Sequence, residues 1–130
     1  RMVNKHKEYL VRVEATPCWE FDTPVVSSIT GGVDEGYTVE ATAVKELGEE
    51  SGYIIADVDL KKLGTCYGAK SCDTIYSLFT CDLTNVKKTE PLKVETKLEE
   101  SSYCKWIPVE DICDIKDPLV HVMFTRMQKY

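Results

Sequence analysis

The stretch that decides the fold is "GGVDEGYTVEATAVKELGEESGY", residues 31–53. It opens on paired glycines, which suit a tight turn. Thr38 is a good N-cap, and Gly52 is a good terminator in the left-handed conformation, so the spacing predicts a helix from about Val39 to Ser51. On a wheel of about 100° per residue, Ala41, Ala43, Val44 and Leu47 share one side. Glu46, Glu49 and Glu50 fill an arc of roughly 100° on the other. Like charges three and four residues apart repel one another, and Lys45 alone cannot neutralise three carboxylates. Many such runs are solvated acidic faces. A hard divalent cation offers another use. Mg²⁺ takes oxygen ligands in octahedral geometry, usually one or two carboxylates plus substrate phosphates.

Working outward, "EYLVRVEA" (8–15) alternates apolar and charged residues and reads as a strand. "TPVVSSIT" (23–30) reads as a second strand, entered through Pro24. "LGTCYGA" (63–69) and "TIYSLFTCDLT" (74–84) read as strands joined by the turn "KSCD". Residues 86–101 are polar, contain Pro91 and form a long loop, a place where function often resides. "SYCKWIPV" (102–109) is another strand, "VEDICDI" a short helix and "DPLVHVMFTRMQ" (117–128) a C-terminal helix. Strands, one helix, strands and then helices describe a mixed α/β sandwich, not a doubly wound sheet.

The chain has 130 residues, enough for one domain over 1–130. At 43% hydrophobic and 29% charged it has an ordinary globular balance. No run of 18 apolar residues is present to span a membrane. The chain opens on Arg1, so the numbering is expected to begin inside a longer product or after a processed tag. A net charge of −6 argues against general binding to nucleic acid or anionic membrane. Cys18, Cys66, Cys72, Cys81, Cys104 and Cys113 include no CxxC pair, and only His6 and His121 accompany them. A zinc site does not follow, and neither does a disulfide framework. Reduced, mostly buried cysteines in a cytoplasmic protein are expected. Trp19, Phe21 and Tyr67 are expected in the core or at its edge, with base stacking as their alternative use.

Residues 31–53 also resemble the Nudix box, GX5EX7REUXEEXGU, where U is bulky and apolar. Gly31 matches its first glycine, Lys45-Glu46-Leu47 its REU, Glu49-Glu50 its EE and Gly52-Tyr53 its GU. The resemblance implies a Nudix α/β/α sandwich with a mixed central sheet. It implies a metal-dependent pyrophosphohydrolase that cuts a nucleoside diphosphate linked to another moiety. Mg²⁺ or Mn²⁺ would be held by Glu46, Glu49 and Glu50, with a carbonyl of Thr30 or Gly31. The general base would be Glu50, or a glutamate of the later loop, where Glu99 and Glu100 lie nearest the next strand. A homodimer is the default assembly of such relatives.

Two positions depart from the box. Tyr37 stands where it has its first Glu, and Lys45 where it has Arg. A supporting charge pair is therefore replaced at both ends. "YGAKSCDTIYSLFTCDL" (67–83) loosely resembles the segment that follows the box in ADP-ribose pyrophosphatases, through Ser71, Asp73, Ile75, Leu78 and Phe79. The subgroup's proline is missing near Ala69. Three readings stay open: hydrolysis of ADP-ribose or a nucleotide sugar, hydrolysis of nucleoside triphosphates, and a weakly active ligand sensor or interaction module.

Overall fold

A computed structural model describes residues 7–90 and 102–129. These residues form two compact units. The first runs to Ser28 and resumes from 102 to His121; the second runs from Ile29 to residue 90 and resumes at Val122.

In the first unit, β1 (Glu8–Glu14) lies between β2 (Val25–Ser27) and β5 (Tyr103–Pro108), both antiparallel to it. Val13 faces Val26 across one ladder, and Val11 faces Lys105 across the other. Val11, Val13, Val25, Ile107, Ile112 and Ile115 are buried. Arg12 is buried among them and pairs its Nε with Glu14 Oε2 at 3.3 Å.

After β5, Val109–Asp114 forms a 3₁₀ helix, tighter than the ordinary helix implied by its sequence. The helix α2 (Pro118–Met127) follows. Pro118 fits its first turn because proline has no N–H to leave unpaired there. Asp117, just before it, is 2% exposed. Its Oδ1 accepts from Leu119 N at 2.9 Å, as an N-cap does. Its Oδ2 accepts from Ser28 N at 2.9 Å and Ser28 Oγ at 3.0 Å. That anchor explains why β2 stops at Ser27 and does not run on to Thr30: the backbone of Ser28 bonds a carboxylate, not a strand.

In the second unit, α1 spans Val39–Ser51. Its boundaries are those implied by Thr38 and Gly52. Thr38 Oγ1 accepts from Ala41 N at 3.0 Å. Gly52 has φ 82°, and its N–H returns to Gly48 O at 3.0 Å. Thr89 N and Oγ1 both donate to Gly52 O, at 2.7 and 2.9 Å, and Tyr53 bridges Lys88.

A 3₁₀ turn at Asp57–Asp59 leads to the antiparallel hairpin of β3 (Lys61–Tyr67) and β4 (Ile75–Thr80). Its register slips between Lys62 and Gly64, where Gly64 has φ 84°. Such a bulge turns carbonyls away from the ladder. Arg126 of α2 satisfies two of them, donating to Leu63 O at 2.8 Å and Thr65 O at 2.9 Å.

The chain is thus α/β, with antiparallel sheets and helices. Among the described residues, no helix is long and apolar enough to cross a membrane. All six cysteines are free thiols. They are not mostly buried, however: Cys18, Cys72 and Cys113 are exposed, and the other three are half-buried. Cys104 lies on an outer strand and Cys66 in a two-stranded hairpin, positions that leave a side chain half open. Trp19, Phe21 and Tyr67 are exposed by 52%, 85% and 71%, so they are not core residues.

Candidate active site

The site is built on α1 and the turn before it. Leu47, Gly48 and Ser51 are the buried residues of its packed side. Gly48 allows close approach, since an added Cβ would lie 3.1 Å from Ile54 Cδ1. Ser51 donates to Leu47 O at 2.5 Å and accepts from Tyr53 N at 3.2 Å, so its polar atom is satisfied inside.

The opposite side carries Glu46, Glu49 and Glu50, and it is not an open face. All three glutamates are half-buried. Thr42, one turn before Glu46 on the same arc, is buried. Oε2 of Glu50 is shielded from solvent. Glu49 and Glu50 also occupy the last turn, which has no basic residue. The helix dipole disfavours anions there. Glu40, in contrast, lies in the first turn, where the dipole favours it. Its carboxyl is held below its usual range by its own backbone N–H and then by Lys62, 3.2 Å away.

Gly31 and Glu46 meet. A Cβ on Gly31 would fall 2.3 Å from Glu46 Cδ and 2.5 Å from Cγ and Oε1. The glycine is required here by close approach, not by a left-handed backbone. The Glu46 carboxyl therefore fills the cradle that a side chain at 31 would occupy. Oxygen donors from a helix face and a glycine turn are the donor chemistry of Mg²⁺ or Mn²⁺, and the residues fit such an ion. Among the described residues, however, no three acidic, His or Cys side chains already converge into a ready cage. Glu99 and Glu100 lie outside the described residues.

The turn itself is fastened to α1 from the other side. Tyr37 N donates to Asp34 O at 3.1 Å, closing a β-turn with Gly36 at φ 86°. A left-handed residue at that position suits glycine. The turn's two ends, Asp34 and Tyr37, both reach Lys45. Its Nζ lies 3.8 Å from Asp34 Oδ2 and 5.4 Å from the centre of the Tyr37 ring. The two residues that depart from the box are thus in contact. The sequence reading missed Asp34; the signal was an Asp two residues ahead of a glycine in a short polar turn.

On the hairpin, Tyr67, Gly68, Ala69, Lys70, Cys72 and Asp73 line an open cleft. Cys72 Sγ is 2.9 Å from Thr74 Oγ1, and this hydrogen bond holds the thiol below its ordinary range.

A protein-family profile described as the NUDIX domain matches residues 2–127. Comparison with curated proteins gives no match.

Proposed function

The chain belongs to the Nudix family, and from that premise we propose that it hydrolyses the diphosphate of ADP-ribose or a nucleotide sugar with Mg²⁺ or Mn²⁺. The observation that carries this reading is the half-buried acidic side of α1, with Gly31 pressed against the Glu46 carboxyl. A merely solvated face would leave its glutamates exposed and would need no glycine at 31. Glu46, Glu49 and Glu50 would hold the cation, with the carbonyl of Gly31. When bound, the cation offsets the charge of the diphosphate and acidifies water beside it.

The rest of the step belongs to the chain. A water attacks phosphorus, a phosphoanhydride P–O bond breaks, and two phosphate monoesters leave. A carboxylate must take the water's proton. Glu50 is a poor base while its lone pairs hold a cation. Glu99 or Glu100 would keep theirs and could take the proton. Exposure of Tyr67 leaves a ring face available for stacking on a base. Six free thiols suit a reducing compartment such as the cytoplasm. The family match runs through both units, which supports one catalytic domain over 1–130. A homodimer is the assembly this reading carries.

A second reading is a weakly active domain that senses a ligand. The departures from the box at Tyr37 and Lys45 favour it. A phosphate-release screen with Mg²⁺ or Mn²⁺ separates the two. ADP-ribose should yield AMP and ribose 5-phosphate, with inorganic phosphate appearing only when a phosphomonoesterase is added. Triphosphates should yield pyrophosphate if nucleotide-pool hydrolysis is the activity. No product from any member of the panel would defeat the hydrolase reading.

A further inference from the structure

We propose that Arg126 is a positioning residue: by holding the bulge in β3 it keeps Tyr67 on the outer face of the hairpin, where the ring meets the base of a nucleotide substrate. The proposal rests on the stacking role given to Tyr67 above. Leu63 is the extra residue of the bulge, because Lys62 pairs with Phe79 and Gly64 already pairs with Leu78. Beyond it, Cys66 pairs with Tyr76 and Tyr67 with Ile75. Paired residues share a face of the hairpin, and faces alternate along each strand. Thr65, Tyr67, Ile75 and Ser77 therefore share one face, and all four are exposed. Cys66, Tyr76 and Leu78 share the other, half-buried or buried.

The bulge decides which side Tyr67 takes. A ladder without it would pair Leu63 with Leu78 and Cys66 with Ile75. A slip of one residue turns every following side chain over, so Cys66 would face out and Tyr67 in. Burial does not hold the observed arrangement, because an aromatic ring gains more from burial than a thiol. Bonding holds it. Gly64 supplies the left-handed backbone, with φ 84°. Arg126 Nη1 donates to the carbonyls on either side of that glycine, Leu63 O at 2.8 Å and Thr65 O at 2.9 Å. A Cβ at 64 would lie 3.1 Å from the same nitrogen, so glycine also leaves the space that the guanidinium fills.

Chemical labelling resolved by residue reads the register without any activity. Iodoacetamide alkylation of cysteines and iodination of tyrosines would be followed by mass spectrometry in wild type, Arg126→Met, Arg126→Lys and Gly64→Ala. In Arg126→Met and Gly64→Ala, Cys66 should alkylate as fast as the exposed Cys18, while iodination of Tyr67 slows. Cys81, half-buried in the same unit, should stay slow, which separates a slip from general unfolding. Lys keeps the charge and the donors, so Arg126→Lys should label like wild type. The Kd of AMP, which carries a base but no phosphoanhydride bond to cut, would be measured by calorimetry. It should rise about fivefold or more in Arg126→Met, Gly64→Ala and Tyr67→Ala, the smaller end of what one base-stacking contact contributes. Wild-type labelling of Cys66 and Tyr67 in Arg126→Met would overturn the positioning role. Wild-type affinity in Tyr67→Ala would overturn the stacking reading instead.

Discussion

Gly31→Ala tests the cradle with a single methyl group. The new Cβ would lie 2.3 Å from Glu46 Cδ, whereas ordinary contact begins near 3.4 Å. The carboxyl must therefore retreat by about 1.1 Å, the difference between those distances. The backbone at 31 is not left-handed, so alanine brings no torsional strain there. The three atoms nearest to it all belong to the Glu46 side chain, which can swing away. Folding should thus be nearly unaffected, within about 1 kcal/mol, since alanine also reduces the freedom of the unfolded chain. Catalysis should not be spared. A displacement of about 1 Å in a catalytic constellation can cost about 10²-fold, equivalent to about 2.7 kcal/mol of barrier. The assay is kcat/KM for ADP-ribose at saturating Mg²⁺, beside urea unfolding of the same preparation. Gly32→Ala is the matched control, because a Cβ there meets nothing within 4 Å. Full activity in Gly31→Ala, or an equal loss in Gly32→Ala, would show that the close approach of Gly31 to Glu46 does not set the site.

Gly52→Ala should destabilise the protein by at least about 2 kcal/mol in urea unfolding. The residue is left-handed, and the new Cβ would meet Thr89 O at 1.9 Å, a backbone atom that cannot step aside cheaply. Asp117→Ala should cost about 3 kcal/mol by the same measurement, because two buried donors on Ser28 and a part-buried one on Leu119 lose their acceptor. Alkylation by iodoacetamide followed against pH should separate two cysteines. The Cys72 thiol is lowered by its bond with Thr74, so its thiolate forms at lower pH and its rate rises first. The Cys81 thiol is raised by burial and then by Asp59 and Asp82, so it reacts only at higher pH.

Much of this was legible in the chain. Thr38 and Gly52 mark the ends of α1 because capping is local chemistry, decided by residues within a turn of each other. The extent of β2 was not legible. Ser28 leaves the strand for Asp117, 89 residues away, and no local pattern encodes such a partner. The packed side of α1 was read from Ala41, Ala43, Val44 and Leu47, but of these only Leu47 is buried, and Gly48 and Ser51 complete it. One does so by its lack of a side chain and the other by a satisfied hydroxyl, and apolar periodicity registers neither. The exposure of Phe21 and Tyr67 escaped for the converse reason: aromatic residues default to the core in a reading that weighs composition alone. That Glu46, Glu49 and Glu50 share one arc of α1 followed from helical spacing. The contact of Tyr37 with Lys45 did not, because a cation over a ring has no spacing rule outside a helix.

The acidic side of α1 is proposed to hold a divalent cation. Its most direct test is a titration of Mn²⁺ against the protein, with free Mn²⁺ followed by electron paramagnetic resonance. Wild type would be compared with a variant carrying both Glu46→Gln and Glu50→Gln. The substitutions keep shape and remove charge. Binding to wild type should be saturable, and the variant should lose at least about tenfold in affinity, a loss of the size that even supporting residues of metal sites produce. Equal Mn²⁺ affinity in the two proteins would contradict it.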